Sequence, residues 1–396
     1  MKTTTISTVL ATVMAGALLT AAPTASAGST TGGGHQGLQA ALDQAVTGAG
    51  LPGATAEVHD GGSTWFGQAG TADLNSGRPP RPQDRFRIGS TTKTFVATVL
   101  LQLEAEHRLN LDDSVEQWLP GLVDGNGYDG SRITLRQLLD HTSGIANFAV
   151  ADQVSKDFQG EPFLQHRFDG FTPRQLVQLG ISVKPQFAPG TGWQYSDTNY
   201  VLAGLVVEQA TGHSLAREIT DRFVKPLHLK STYEPTGADT GIHGPHGRFY
   251  SKLGPFDAPT LPEYDVTELN PSWGYGSGDL ISTTGDLSTF FQALLAGRLL
   301  PPAQTAEMFT MQDPGTAWIP QSRYGLGVAS LALSCGRVWG MGGAINGSWS
   351  YTFGTRDGHH LLSTEVNGDW ADGSQWGPIL VFTKELEAEF CGNTAG

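Results

Sequence analysis

"RFRIGSTTKTFVATVLLQLEAEHRL", residues 85–109, sets Ser90 and Lys93 three positions apart where a helix begins. Lys93, Val96, Leu100 and Leu103 follow a 3, 4, 3 spacing, which predicts a helix over about Thr91–His107 with Lys93 at the edge of its apolar stripe. Ser90 shares that side of the helix. Serine is an ordinary cap at such a place. Lysine is not, because a capping box takes Glu or Gln there and the helix dipole disfavours a cation. A neutral amine so placed can accept a serine's proton, and desolvation favours that neutral form. Ser90 therefore reads as a candidate nucleophile, with Lys93 as its base.

Such a pair needs a second proton carrier and a place for the oxyanion. "FAPGTGWQYSDTNYVLAGLVVEQATG" (187–212) supplies Tyr195 and Asp197 just before a helical pattern. A phenol near an ammonium can relay a proton to a leaving group. "VWGMGGAINGSWSYTFG" (338–354) is a strand-like run broken at Gly342 and Gly343, where backbone N–H groups could approach a ligand closely. Taken singly, each has a structural reading: Asp197 as a cap, Tyr195 as a core aromatic, the glycines as a turn.

Ser-x-x-Lys, Tyr-x-Asp and a Gly-Gly strand, in this order, resemble the penicillin-recognising serine enzymes: DD-peptidases, class C β-lactamases and related esterases. "DRFRIGSTTKTF", "ITLRQLLDHTSGI", "STTGDLSTFFQALLAG" and "YGLGV…LSCG…EFCG" extend the likeness over nearly the whole chain. Within that group it is most similar to the secreted D-alanyl-D-alanine carboxypeptidases of the Streptomyces type. The resemblance implies an α/β fold, an antiparallel sheet flanked by helices with an all-α subdomain inserted. It makes Ser90 the nucleophile, Lys93 and Tyr195 the proton carriers, and the N–H groups of Ser90 and Ala344 the oxyanion hole. It places Asp197, Trp273, Met341, Gly342 and Gly343 on the substrate cleft. It implies no cofactor and no metal, a monomer, and a small peptide, amide or ester as substrate, with β-lactams as acylating inhibitors.

Three positions depart from the family pattern. Met341-Gly342-Gly343 stands where Lys or His, often followed by a hydroxyl residue, opens the third motif. No arginine lies near Ala329, where relatives use one to hold a terminal carboxylate. Asp197 replaces the usual Asn; a carboxylate accepts hydrogen bonds from an amine, and beside Lys93 it would favour the ammonium. Arg337 and Arg356 are the candidate replacement cations. The expected activity is hydrolysis through an acyl-enzyme at Ser90 on D-amino-acid peptides. The alternatives are an esterase, D-aminopeptidase-like hydrolase or acyltransferase for substrates lacking a free carboxylate, and an inactive cell-wall-peptide binder.

The rest of the chain sets the frame. Residues 1–27 carry Lys2, an apolar run from Val9 to Leu19 and Ala25-Ser26-Ala27, the form of a cleaved export signal. Without Lys2 the chain has 38 acidic and 23 basic side chains, a net charge of −15, which disfavours nucleic acid and anionic lipid as partners. No apolar run reaches the ~20 residues a membrane helix needs. In an oxidising compartment Cys335 and Cys391 read as one disulfide. His243 and His246 sit in a Gly/Pro loop without zinc spacing. The catalytic domain is expected over 28–396, with its α/β part from about 35–105 and 265–392 and a helical insertion over about 106–264.

Overall fold

A computed structural model describes residues 34–237, 239–254, 261–371 and 377–392; the expected leader, 1–27, lies outside them. Seven antiparallel strands make one sheet. Strands β1 (Gly53–Asp60) and β2 (Ser63–Gly70) precede the helical middle of the chain. Strands β3 (Ser322–Tyr324), β4 (Ala329–Leu333), β5 (Gly336–Ile345), β6 (Ser348–Gly354) and β7 (His360–Val366) follow it. The order β2-β1-β7-β6-β5-β4-β3 closes the two groups on one another, with Ala54 opposite Val366.

The main helices are α1 (Gln36–Thr47), α2 (Thr92–Ala105), α3 (Pro173–Ser182), α4 (Asp197–Thr211), α5 (Thr284–Leu295) and α6 (Ile379–Phe390). Residues of β6 alternate between hydroxyl and aromatic side chains, a pattern that ordinarily marks one wet face. Here all seven are buried. The hydroxyl face meets α5, where Ser288 Oγ lies 2.7 Å from Ser363 Oγ, itself 3.0 Å from Thr352 Oγ1. The aromatic face meets α6, with Tyr351 stacked on Phe382 at 4.6 Å between ring centroids. Between the two groups of strands helices predominate, with three small ladders among the described residues, Phe86–Arg87 with Ile281–Ser282, Asp124–Gly125 with Tyr128–Asp129 and Tyr250–Ser251 with Tyr264–Asp265.

Helix α2 departs from the amphipathic expectation, being buried on almost every side, from Thr92 through Leu101. Phe95 stacks on Phe290 of α5 at 3.7 Å. The inward threonines are satisfied: Thr94 Oγ1 donates to the Gly327 carbonyl at 2.6 Å, and Thr98 Oγ1 to the Thr94 carbonyl. The strand-like run Tyr324–Leu331 is split between β3 and β4 for a related reason. Gly327 (φ +71°) crosses α2 so closely that a Cβ would lie 2.6 Å from Ala97 Cβ. Conversely, β5 runs unbroken through Gly342 and Gly343.

A disulfide joins Cys335, in the β4–β5 turn, to Cys391 at the end of α6, as the sequence reading expects. Two carboxyls nearby are buried with one oxygen each lacking a partner among the described residues, Glu365 on β7 and Glu385 on α6. Burial pushes both up to about 8, with Asp84 adding to the effect at Glu365. The folded state thus holds protons that the unfolded chain releases near pH 4.5. Their stabilising contribution is full below that point and is lost as pH rises through about 8. Glu385→Gln should raise the melting temperature at about pH 9 by roughly 2–4 °C and leave it unchanged near about pH 4. Equal shifts at both pH values in a thermal scan would contradict this.

Candidate active site

Two helix N-termini converge on Ser90. A 3-10 turn, Gly89–Thr91, leads into α2 and leaves the Ser90 side chain half-buried. Lys93, one turn on, is wholly buried, and its Nζ has three partners: Ser90 Oγ at 3.1 Å, Asp197 Oδ1 at 2.6 Å and the Ser277 carbonyl at 2.7 Å. Tyr195 Oη donates to Ser90 Oγ at 2.6 Å. Asp197 opens α4, where its charge suits the helix dipole and offsets the cation that α2 carries in its first turn. Lys93 as an ammonium uses all three N–H bonds. As a neutral amine it keeps the bonds to Asp197 and Ser277 and offers its lone pair to Ser90.

Burial, and secondarily the charge of Asp197, push the Tyr195 phenol far above its ordinary value, outweighing the opposing bond to Ser90. Tyr195 is therefore a proton donor at rest. Its ring packs against His141 at 4.5 Å between centroids. His141 is held well below its usual value by burial and by Lys93, so it is a neutral buttress. Its Nδ1 accepts from the Ser196 N–H at 3.2 Å and steadies the segment that carries Tyr195.

Strand β5 forms the opposite wall, and glycine is what lets it approach. A Cβ on Gly343 would lie 1.8 Å from the Ile88 carbonyl oxygen and 2.9 Å from the Ser90 nitrogen; one on Gly89 (φ +48°) would lie 2.6 Å from the Ala344 nitrogen. The backbones at Ser90 and Ala344 are thus pressed together beside the Ser90 hydroxyl, as an oxyanion hole requires.

Between these walls lies a cavity of about 320 Å³ lined by Ser90, Tyr195, Met341, Gly342, Gly343 and Ala344, with Ala329 and Trp349 behind. No charged residue is among its described lining. Arg337 donates to Ser330 Oγ at 2.9 Å. Arg356 lies over the Phe309 ring and donates to the Leu295 carbonyl. Neither candidate cation lines the cavity. Gly342 also has a steric reason to lack a side chain, since a Cβ there would lie 2.2 Å from Tyr351 Cε1.

Two expected cleft residues have other places. Trp273 does not line this cavity; it packs beside Phe158, at 6.1 Å between ring centroids, on a small cluster with Phe163, Val266 and Leu269. Asp197 is not a free acceptor for a substrate amine, because Oδ1 holds Lys93 and Oδ2 accepts from Asn147 Nδ2 at 2.9 Å. Sequence reasoning missed Asn147, His141 and Ser277. His141 opens "HTSGI" in the quoted "ITLRQLLDHTSGI" and Asn147 follows it by two residues, but nothing in that stretch points to their partners. It also missed the wall formed by Thr316–Ile319, whose Trp318 lies nearly parallel to Tyr195 at 6.1 Å. Among the described residues no group of three or more His, Cys, Asp or Glu could hold a metal, and no helix is long and apolar enough to cross a membrane.

A family model described as Beta-lactamase matches residues 38–367. The chain belongs to the beta-lactamase family. Within that family, Esterase EstB of Burkholderia gladioli is 36% identical over 211 residues, covering 49% of this chain and 50% of that protein. The chain spans about half the length of the curated relatives it matches. Solved structures are matched over more of their length. A D-stereospecific amidohydrolase from Streptomyces sp. is 46% identical with a TM-score of 0.82, covering 90% of this chain and 99% of that one. D-amino acid amidase from Ochrobactrum anthropi SV3, complexed with L-phenylalanine, is 26% identical with a TM-score of 0.73, covering 89% and 97%. The beta-lactamase fold of this chain, an antiparallel sheet with helices on both faces, is the fold of those enzymes.

Proposed function

We propose that this protein is a serine hydrolase that cleaves amides and esters of D-amino acids through an acyl-enzyme at Ser90. Its preferred substrates lack a free carboxylate beside the scissile bond. The observation that carries this reading is the cavity at Ser90, which has no charged residue in its described lining, with buried Met341 where the family's third motif opens on a cation. A carboxylate brought there would lose its hydration without gaining a partner. A neutral amide or ester would not. The likeness to a D-stereospecific amidohydrolase supports the choice of D-amino-acid substrates. The export pattern of residues 1–27, together with the Cys335–Cys391 disulfide, supports secretion.

Neutral Lys93 takes the Ser90 proton as Ser90 Oγ bonds to the carbonyl carbon, while the backbone N–H groups of Ser90 and Ala344 receive the oxyanion. The carbon–nitrogen bond then breaks as the Tyr195 phenol protonates the leaving amine. The Lys93 ammonium, 4.8 Å from the centre of the Tyr195 ring, restores that phenol. Water repeats the sequence on the ester and releases the acid.

A hydrolysis panel tests the substrate reading. A D-aminoacyl dipeptide amide should show a kcat/KM at least about tenfold above that of the same dipeptide with a free carboxylate. Met341→His should narrow that gap. Gly342→Thr, the other feature of the family motif, would drive its side chain into the Tyr351 ring. Better turnover of the free acid by the unaltered enzyme would favour a plain carboxypeptidase.

A further inference from the structure

Behind Lys93 the chain makes a tight turn, Gly274–Gly278, in which the Ser277 and Gly278 N–H groups both donate to the Gly274 carbonyl, at 2.9 and 2.7 Å. Its contribution to the site is the Ser277 carbonyl, which accepts from Lys93 Nζ at 2.7 Å. The turn is wedged in place. Gly276 (φ +63°) passes the Tyr200 carbonyl so closely that a Cβ would lie 2.9 Å from it, and the Leu280 N–H donates to Thr92 Oγ1 at 3.2 Å. Asp279 closes the turn from below, with Oδ2 accepting from the Gly276 N–H at 3.4 Å.

Asp279 is buried, and its Oδ1 has no hydrogen-bond partner among the described residues. Nor has the buried Oε2 of Glu234. These two carboxyls come from adjoining segments, since Tyr233 and Ile281 exchange backbone hydrogen bonds of 3.0 Å in each direction. A turn that only needed shape could be closed by an asparagine or a serine. A second carboxyl on the adjoining segment, neither having an ion-pair partner among the described residues, is a costly arrangement unless a proton is held there.

We propose that Asp279 is a positioning residue for Lys93: it holds the turn that presents the Ser277 carbonyl, and with Glu234 it stores a proton whose loss places a negative charge behind Lys93. This rests on the acyl-enzyme reading above but not on the choice of substrate. The electrostatics agree. Burial raises Asp279 to about 7 against the lowering effect of the Gly276 N–H and Lys93. Burial, then Asp279 and Glu208, raise Glu234. The groups facing the pair are Lys93 from α2, Glu208 from α4 and the Tyr275 phenol, itself kept protonated by burial and by Glu208 and Glu234. Below about pH 7 the Asp279 carboxyl is mainly protonated; above it a negative charge lies behind Lys93 and slows the activation of Ser90.

The test is the second-order rate of Ser90 phosphonylation by a fluorophosphonate, followed by intact mass over about pH 5.5 to about pH 9. Asp279→Asn keeps an acceptor for the Gly276 N–H and removes the charge. Its rate should continue to rise above neutrality, making the ratio of rates at about pH 8.5 and about pH 6.5 at least threefold larger than in the unaltered enzyme. Asp279→Ala should lose at least about tenfold in rate at every pH, and the asparagine variant should recover most of that loss. An unchanged pH ratio in Asp279→Asn overturns the proposal, as does an equal loss of rate in both variants, which is the mark of a purely structural residue. Absence of any Ser90 adduct in the unaltered enzyme overturns this inference together with the acyl-enzyme reading, so the two failures are distinguishable.

Discussion

Ser90→Ala is expected to lower kcat/KM by a factor of roughly 10³ or more and to abolish every covalent adduct, because no other hydroxyl in the described lining is hydrogen-bonded to Lys93. Ser90 Oγ is the atom on which Lys93 Nζ and Tyr195 Oη both converge, at 3.1 and 2.6 Å. Other hydroxyls line the cavity, but none is hydrogen-bonded to Lys93. The fold should tolerate the change, since Lys93 retains Asp197 and the Ser277 carbonyl, and the melting temperature should move by no more than about 4 °C. The measurement is intact mass after a fluorophosphonate or an activated ester, with a D-amino-acid amide assay alongside. Labelling of Ser90→Ala at the rate of the unaltered protein would remove Ser90 from the mechanism.

The second large effect is expected from the addition of one methyl group that touches no substrate. In Gly343→Ala the new Cβ would sit 1.8 Å from the Ile88 carbonyl oxygen. That oxygen cannot easily withdraw, because the Ile88 N–H donates to the Leu280 carbonyl at 2.9 Å and the adjoining Arg87 carbonyl accepts from Ser348 Oγ at 2.9 Å. Strand β5 must therefore move away from the Gly89–Thr91 turn, taking the Ala344 N–H from the oxyanion. A drop in kcat of about 100-fold is expected, of the size seen when an oxyanion donor is lost, together with about 1–3 kcal/mol of destabilisation from overpacking. Ala344→Gly is the control: it keeps the N–H and should stay within about threefold of the unaltered kcat. Steady-state kinetics on an activated ester and a thermal scan measure both. A Gly343→Ala protein with ordinary kcat would mean that β5 does not build the hole.

Export and the D-amino-acid substrate are proposals of a different kind from these. They rest on residues 1–27 and on a relative's chemistry, whereas the Ser90 and Gly343 outcomes follow from contacts within the described structure.

Local pattern was enough for much of the architecture. The helix predicted over about Thr91–His107 occurs as Thr92–Ala105, and the strand-like run 338–354 occurs as β5 and β6. Order along the chain was enough to bring Ser90, Lys93 and Tyr195 into one reading, because three motifs in sequence are far more specific than any one of them. What periodicity missed came from packing between elements. Helix α2 is buried on almost every side because α4 and other helices pack on it and Phe290 of α5 stacks on its Phe95, and the run from Tyr324 breaks because Gly327 must pass α2.

For the site, the sequence alone picked out Ser90, Lys93 and Tyr195 as candidate catalytic groups and placed Met341 where the family's third motif opens on a cation. Only the tertiary structure decided what those groups touch. Asp197 could have received a substrate amine; it is committed to Lys93 and Asn147. Trp273 is not in the described lining of the cavity at Ser90 and packs beside Phe158, on a cluster that includes Ile345 of β5, while Thr316–Ile319 line that cavity. The physical reason is distance along the chain. Lys93 and the Ser277 carbonyl lie 184 residues apart, and contacts of that separation are set by how α2, α4 and the Gly274–Gly278 turn pack together, which no local spacing encodes.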